Sequence, residues 1–178
     1  GKASFYESAI RVPMIAMGPG IEGGQVQEGL VELRDVTATM LSWAGIEQPA
    51  WYDAQPLPGD GMPGESGREN IFGLLGDGWM NFDGRYKLHK YRTGETLLFD
   101  MLNDPQEQVN LFGNPEFADI VQRLEIELTQ ELMASIEGSM DDRLAQNGDM
   151  SQDPTFGYES WNRPWPNSPR TSAATYEK

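Results

Sequence analysis

The candidate chemistry of this chain begins with its only histidine. His89 lies in the run YKLHKY over residues 86–91, where strand alternation puts it opposite Leu88 and on the same face as Lys87 and Tyr91. An imidazole there can act as a proton carrier or contact a substrate; the competing reading is a packed or surface side chain. Glu7 and Arg11 stand four apart, the spacing of an ion pair on one helical turn, and read as a structural pair. Asp100, Asn103, Asp104 and Glu107 offer the closely spaced oxygens that a hard cation requires. They lack the EF-hand spacing, however, and Asp104-Pro105 reads as a turn. Trp51, Tyr52 and Trp79 are aromatics in loop or hairpin regions that can stack on sugar rings; core packing or loop anchoring is the alternative. The chain has no cysteine, which removes disulfides, thiolate metal sites and cysteine nucleophiles.

The charge balance narrows the partners. Twenty-eight acidic against 13 basic residues give a net charge of -15. Such a field repels nucleic acid and anionic membranes. It also repels a sulfated or phosphorylated substrate at long range, so a site for one needs its own local positive charge or a metal. No stretch approaches the roughly 18 apolar residues of a membrane span. The opening Gly1-Lys2-Ala3-Ser4 has no signal-peptide pattern, and the expectation is a processed product, a subunit or a fragment.

The elements that would position these groups follow from periodicity. Residues 11–20 (RVPMIAMGPG) hold a short apolar run between Pro13 and a Gly-Pro-Gly turn, the form of a buried strand. Residues 35–44 (DVTATMLSWA) shift to helical spacing, with Val36, Met40 and Trp43 on one face, Asp35 as N-cap and Gly45 as the left-handed residue after the helix. Residues 48–68 are rich in Gly and Pro and read as a long loop or linker. Strand-like runs follow at 70–75, 79–82, 86–91 and 96–101, with Asp83-Gly84 and Thr93-Gly94 as turns. The natural assembly is an antiparallel meander. Asn114-Pro115 then opens a helix, and Phe117, Ile120, Val121, Leu124, Leu128 and Leu132 at spacings of three and four carry it to about Ile136. From Gly138 onward the chain is polar and acidic, with isolated aromatics at Phe156, Tyr158, Trp161 and Trp165.

Four stretches carry a family resemblance. Gly1-Lys2-Ala3-Ser4-Phe5-Tyr6-Glu7-Ser8-Ala9-Ile10-Arg11-Val12-Pro13 resembles the G-K-x-x-x-Y/W-E-x-x-x-R-V-P segment of sulfatases. Residues 35–46 are similar to the D-x-x-P-T-L-L-x-x-A-G-I helix of that family, with Ala38 where Pro is usual. Residues 83–88 (DGRYKL) resemble its x-G-x-Y-K-L strand, and residues 98–111 (LFDMLNDPQEQVNL) its L-Y-D-L-x-x-D-P-x-E-x-x-N-L corner. Each stretch is weak alone; four in one order over about 110 residues are strong.

The resemblance implies an α/β, alkaline-phosphatase-like fragment: the end of the large parallel-type sheet plus a small α+β C-terminal subdomain with an antiparallel meander and one long helix. The expected divisions are residues 1–47 for the end of the catalytic domain, 48–68 for the linker, 69–137 for the subdomain and 138–178 for the tail. It further implies hydrolysis of aryl or carbohydrate sulfates through a formylglycine and one Ca2+, with Lys2 holding the sulfate. Glu7 and Arg11 would support the Lys2 segment, while His89 and Trp79 would border the substrate. The family's nucleophile and metal ligands lie upstream of Lys2, so no metal ligand is expected in this segment. The segment alone should be inactive and needs the N-terminal part of the fold. The family is often periplasmic or secreted. A phosphonate or phosphodiester hydrolase of the same superfamily is one rival reading; a non-catalytic stabilising or carbohydrate-contacting module is another. An exposed apolar patch is expected around residues 12–17, where a sheet neighbour would pack.

Overall fold

The computed structural model describes residues 4–49 and 52–146, with residues 137–146 described by backbone alone. The chain divides into two compact units, Gly1–Ser135 and Ile136–Lys178. Of the second, only the C-terminal stretch of one helix is described, and the expected tail after residue 146 lies outside the described residues.

The first unit is built on four antiparallel strands: β1 Ile71–Leu75, β2 Gly78–Phe82, β3 Tyr86–Tyr91 and β4 Thr96–Asp100, paired in sequence order. Chemistry at the turns sets the register. Between β2 and β3, Gly84 takes φ +92°, a conformation open to glycine without a Cβ penalty. The Asp83 carboxylate accepts the N–H groups of Arg85 at 2.9 Å and Tyr86 at 2.6 Å. Phe82 then pairs with Lys87, Asn81 with Leu88 and Met80 with His89. On β4, Leu98 pairs with Leu88 and Phe99 with Lys87. The meander therefore forms as its turn residues and alternation predict.

One face of this sheet buries Leu88 and Leu98 against Leu124 of the long helix, with Tyr86, Leu111, Phe117, Ile120 and Val121 packed around them. Asn81 lies within that interface and is satisfied: its amide donates to the Leu124 carbonyl at 3.0 Å and to Glu127 at 3.1 Å, and its oxygen accepts from Asn70 at 2.9 Å. The helix begins as expected. The Asn114 side chain caps the Glu116 N–H at 3.1 Å, and a 3-10 turn at Pro115–Phe117 leads into α3, Ala118–Gln146. The helix continues well past Ile136 because residues 137–146 are mostly good helix formers, even though the apolar stripe has ended.

Two earlier elements correct the sequence reading. The helix expected at 35–44 is α2, Leu33–Trp43. Its N-cap is Glu32, and Asp35 is the third helical residue of a capping box whose carboxylate accepts the Glu32 N–H at 2.8 Å. Asp35, Ala38 and Thr39 are its buried residues, whereas Met40 and Trp43 are exposed. The reason is the segment expected to be a linker, which docks on the polar side of α2. Gln55 N–H donates to Asp35 at 3.0 Å, Leu57 N–H donates to the Thr39 hydroxyl at 2.8 Å, and the Arg68 guanidinium grips Asp35 through two nitrogens. Leu57 and Ala54 are buried by this docking. Gly45 closes α2 with φ +67°, as expected.

Burial alone would raise the Asp35 carboxyl, but the Arg68 guanidinium, with the Gln55 and Glu32 amides, outweighs it and holds the group below the usual range. The stabilisation is thus present above the ordinary Asp value and is lost as pH falls through the lowered one. Asp35→Asn is expected to destabilise the protein by about 2 kcal/mol, the worth of hydrogen bonds to a charged group. An unchanged urea midpoint for that variant would show that the docked loop does not depend on the ion pair.

Residues 11–20 form no strand. Among the described residues no neighbouring strand lies alongside them to complete a ladder, and an unpaired backbone stays extended where water can satisfy it. The expected apolar patch is present, with Ile15 90% and Met17 89% exposed.

Candidate functional site

The second face of the sheet is covered by the start of the chain. Phe5 sits on a floor made by glycines of β1 and β2: a Cβ at Gly73 would lie 3.2 Å from its ring, and one at Gly78 would lie 2.9 Å away. These positions lack side chains where the ring must lie, which ties Gly73 and Gly78 to the docking of Phe5. The Phe5 ring is 5.4 Å from His89 and 6.2 Å from Tyr91; Tyr6 lies 5.7 Å from His89 and 5.8 Å from Phe99. After this aromatic lid comes α1, the single turn Glu7–Ile10.

His89 is fully buried, and neither ring nitrogen has a hydrogen-bond partner. Burial, assisted by the nearby Lys87 ammonium, lowers its pKa to about 4. The imidazole is therefore neutral at ordinary pH and enclosed by rings. That placement suits a packing residue, and no substrate can reach it in this arrangement.

Beside His89 lies an ionic cluster assembled from three distant stretches. Lys87 is fully buried. Its Nζ donates to Glu7 Oε1 at 2.5 Å, Glu107 Oε1 at 2.8 Å and the Phe5 carbonyl at 3.3 Å. Glu107 Oε2 in turn accepts the Glu7 backbone N–H at 2.7 Å. One ammonium thus holds two carboxylates, and one of those carboxylates also fixes the backbone that carries the other.

The corner after β4 delivers Glu107 to this position. Asp100 is held below the usual carboxylate range first by the Arg85 guanidinium, which outweighs burial, and then by Asn103 and the Leu102 and Asn103 amides. The Asp104 carboxylate accepts the N–H groups of Gln108 at 2.7 Å and Val109 at 2.8 Å. Glu107 itself adopts φ +56°, a strained conformation for a residue with a side chain. Every carboxylate of the corner is engaged in turn formation or ion pairing, and no group of three or more His, Cys, Asp or Glu among the described residues is placed to hold a metal ion. The calcium implied by the resemblance therefore has no ligand set among these residues.

The other candidates fall as follows. Lys2 and Trp51 lie outside the described residues. Arg11 reaches Glu7 at 3.9 Å but is largely exposed, so the tighter partner of Glu7 is Lys87. Trp79 pairs across the sheet with Leu74 and Lys90, placing it on the α3 face, opposite His89. A single pocket on one face of the sheet cannot use both. The sequence reading missed the buried roles of Lys87 and Glu107. The available signal was that Lys87 shares its strand face with His89 and Tyr91, while Glu107 stands in a motif stretch. No helix among the described residues is long and apolar enough to cross a membrane.

No protein-family profile matches the chain. It is 30% identical over 127 residues to arylsulfatase K of Homo sapiens, covering 62% of this chain and 24% of that protein. It is 27% identical over 146 residues to the multifunctional alkaline phosphatase superfamily protein PehA of Trinickia caryophylli, covering 68% and 28%. The chain thus spans about a quarter of the length of the curated relatives it matches. Among solved structures, a candidate sulfatase from Bacteroides thetaiotaomicron aligns with a TM-score of 0.67 and 26% identity over 78% of this chain and 33% of that one. With the meander, the long helix and the order of the four motif stretches, these likenesses make the chain a C-terminal sulfatase-like region of the alkaline-phosphatase superfamily.

Proposed function

We propose that this chain belongs to a sulfatase that hydrolyses sulfate esters of aryl or carbohydrate alcohols, with Lys2 binding the sulfate group. The observation that supports this reading best is the structural likeness to a candidate sulfatase over 78% of the chain. It is joined by the convergence of three motif stretches on one cluster, Glu7, Lys87 and Glu107. Hydrolysis transfers the sulfuryl group from the ester oxygen to water, releasing an alcohol and hydrogen sulfate. An ammonium at position 2 would hold a sulfate oxygen and favour charge on the departing oxygen. In a chain of net charge -15, such a local cation is what an anionic substrate needs. The nucleophile, a formylglycine, and the calcium ligands belong to other parts of the protein, and a periplasmic or secreted location fits the family.

The test is hydrolysis by the full-length protein of p-nitrophenyl sulfate, p-nitrophenyl phosphate and a sulfated monosaccharide. A higher kcat/KM for the sulfates is expected, and Lys2→Ala should lower it about a hundredfold, as for loss of one preorganised charge-stabilising donor. Preference for the phosphate ester would overturn the reading.

A further inference from the structure

The Lys87 cluster has a geometry that simple stapling of a sheet does not need. Its ammonium binds a backbone carbonyl at Phe5 and a side chain at Glu7, and Glu107 binds the Glu7 N–H. Three of its contacts therefore fall on residues 5–7, and two of these are to backbone atoms. Phe5 is locked at the same time on the Gly73 and Gly78 floor. Side-chain packing alone would hold a ring and leave the peptide groups free to turn; here the peptide groups themselves are fixed by charged partners. Lys2 precedes Phe5 by three residues.

We propose that Lys87 and Glu107 are positioning residues for the sulfate-binding stretch, orienting the backbone of residues 5–7 and through it Lys2, without touching substrate. This rests on the reading of Lys2 as the sulfate ligand. The strained backbone of Glu107, the full burial of Lys87 and the two backbone contacts then serve one purpose: they transfer the rigidity of the meander to a segment that has only a single helical turn of its own. Misplacement of a binding group by about 1 Å can lower a rate by as much as 10²-fold, so loss of the cluster should be read in catalysis as well as in stability.

The experiment is a double-mutant cycle in the full-length protein, with kcat/KM for p-nitrophenyl sulfate measured below the melting transition of every variant. Glu107→Gln keeps size and shape while removing the charge that Lys87 and the Glu7 N–H engage. In the native background it should lower kcat/KM about tenfold. In the Lys2→Ala background it should lower it less than about twofold, because a group that acts through Lys2 has nothing left to orient. Equal losses in the two backgrounds overturn the positioning role and leave the sulfate-binding reading standing. An unchanged kcat/KM for Lys2→Ala alone overturns the sulfate-binding reading, and this proposal with it. Glu7→Gln, at a partly exposed carboxylate, gives the same cycle if Glu107→Gln does not fold.

Discussion

Lys87→Met is expected to destabilise the protein by about 3–5 kcal/mol, the cost of removing one partner of a buried ion pair. Methionine nearly matches the aliphatic length of lysine, so little void is created and packing loss is minor. What remains is electrostatic. Glu107, almost wholly buried, loses the ammonium 2.8 Å away, Glu7 loses the one 2.5 Å away, and the Phe5 carbonyl loses a donor. The two carboxylates are left facing each other with no cation between them. Removing a second member should recover part of the loss: Lys87→Met with Glu107→Gln is expected to be more stable than Lys87→Met alone, the signature of coupled neighbours. A control lies in the turns at one end of the same sheet. Arg92 and Asp77 approach only to 4.0 Å and are exposed, so Arg92→Ala should change stability by less than about 0.5 kcal/mol. Urea denaturation at pH 7 of the four proteins checks the series. If Lys87→Met and Arg92→Ala shift the midpoint equally, the cluster does not hold the start of the chain.

A second large effect is expected from pH. His89 has its pKa lowered to about 4 in the fold, from the ordinary 6.5, by burial and then by Lys87. Between these values the unfolded chain binds a proton that the folded one refuses, so stability rises with pH across this window. Conversely, the contribution is fully present above about 6.5 and is lost as pH falls toward 4. A depression of that size corresponds to about 3 kcal/mol at 1.36 kcal/mol per unit. The groups around the ring give no relief: Phe5, Tyr6 and Phe99 present aromatic rings, and the charge that acts on the imidazole, that of Lys87, is positive. Asp35 and Asp100, held low by their arginines, lose their contributions only below the ordinary carboxylate value, under this window. His89→Leu should therefore flatten the dependence between pH 4.5 and 7.5. It should be neutral or stabilising at pH 7.5, because it removes two buried nitrogens that have no partner. Parallel stability curves for the native protein and His89→Leu would mean that the ring is accessible to protons in the fold.

The sequence by itself determined the local architecture and the family. Asp83-Gly84 and Thr93-Gly94 mark turns because glycine alone takes positive φ there at no steric cost, and Gly84 and Gly94 do so. Alternation along β3 puts His89, Lys87 and Tyr91 opposite Leu88, and the register has them so. Asn114-Pro115 starts a helix by a cap that depends only on adjacent residues. These are short-range effects, legible because each rests on neighbours in the chain.

Tertiary structure decided which side chains were partners, and here periodicity fell short. Spacing put Met40 and Trp43 on one face of α2 and said nothing of what lies opposite; there the docked loop buries Asp35 and Thr39, because its free amides and Arg68 needed acceptors and found them. The apolar run at 11–20 forms no strand, since strand formation requires a neighbour that local sequence does not supply. Glu7 and Arg11 do pair as their spacing suggests, at 3.9 Å, but spacing gave no sign of the tighter partner of Glu7, Lys87, 80 positions away. A lysine in a strand reads as a solvated charge until two carboxylates from opposite ends of the unit are brought to it. Charge can be buried only where its partners meet, and that meeting is a property of the folded chain.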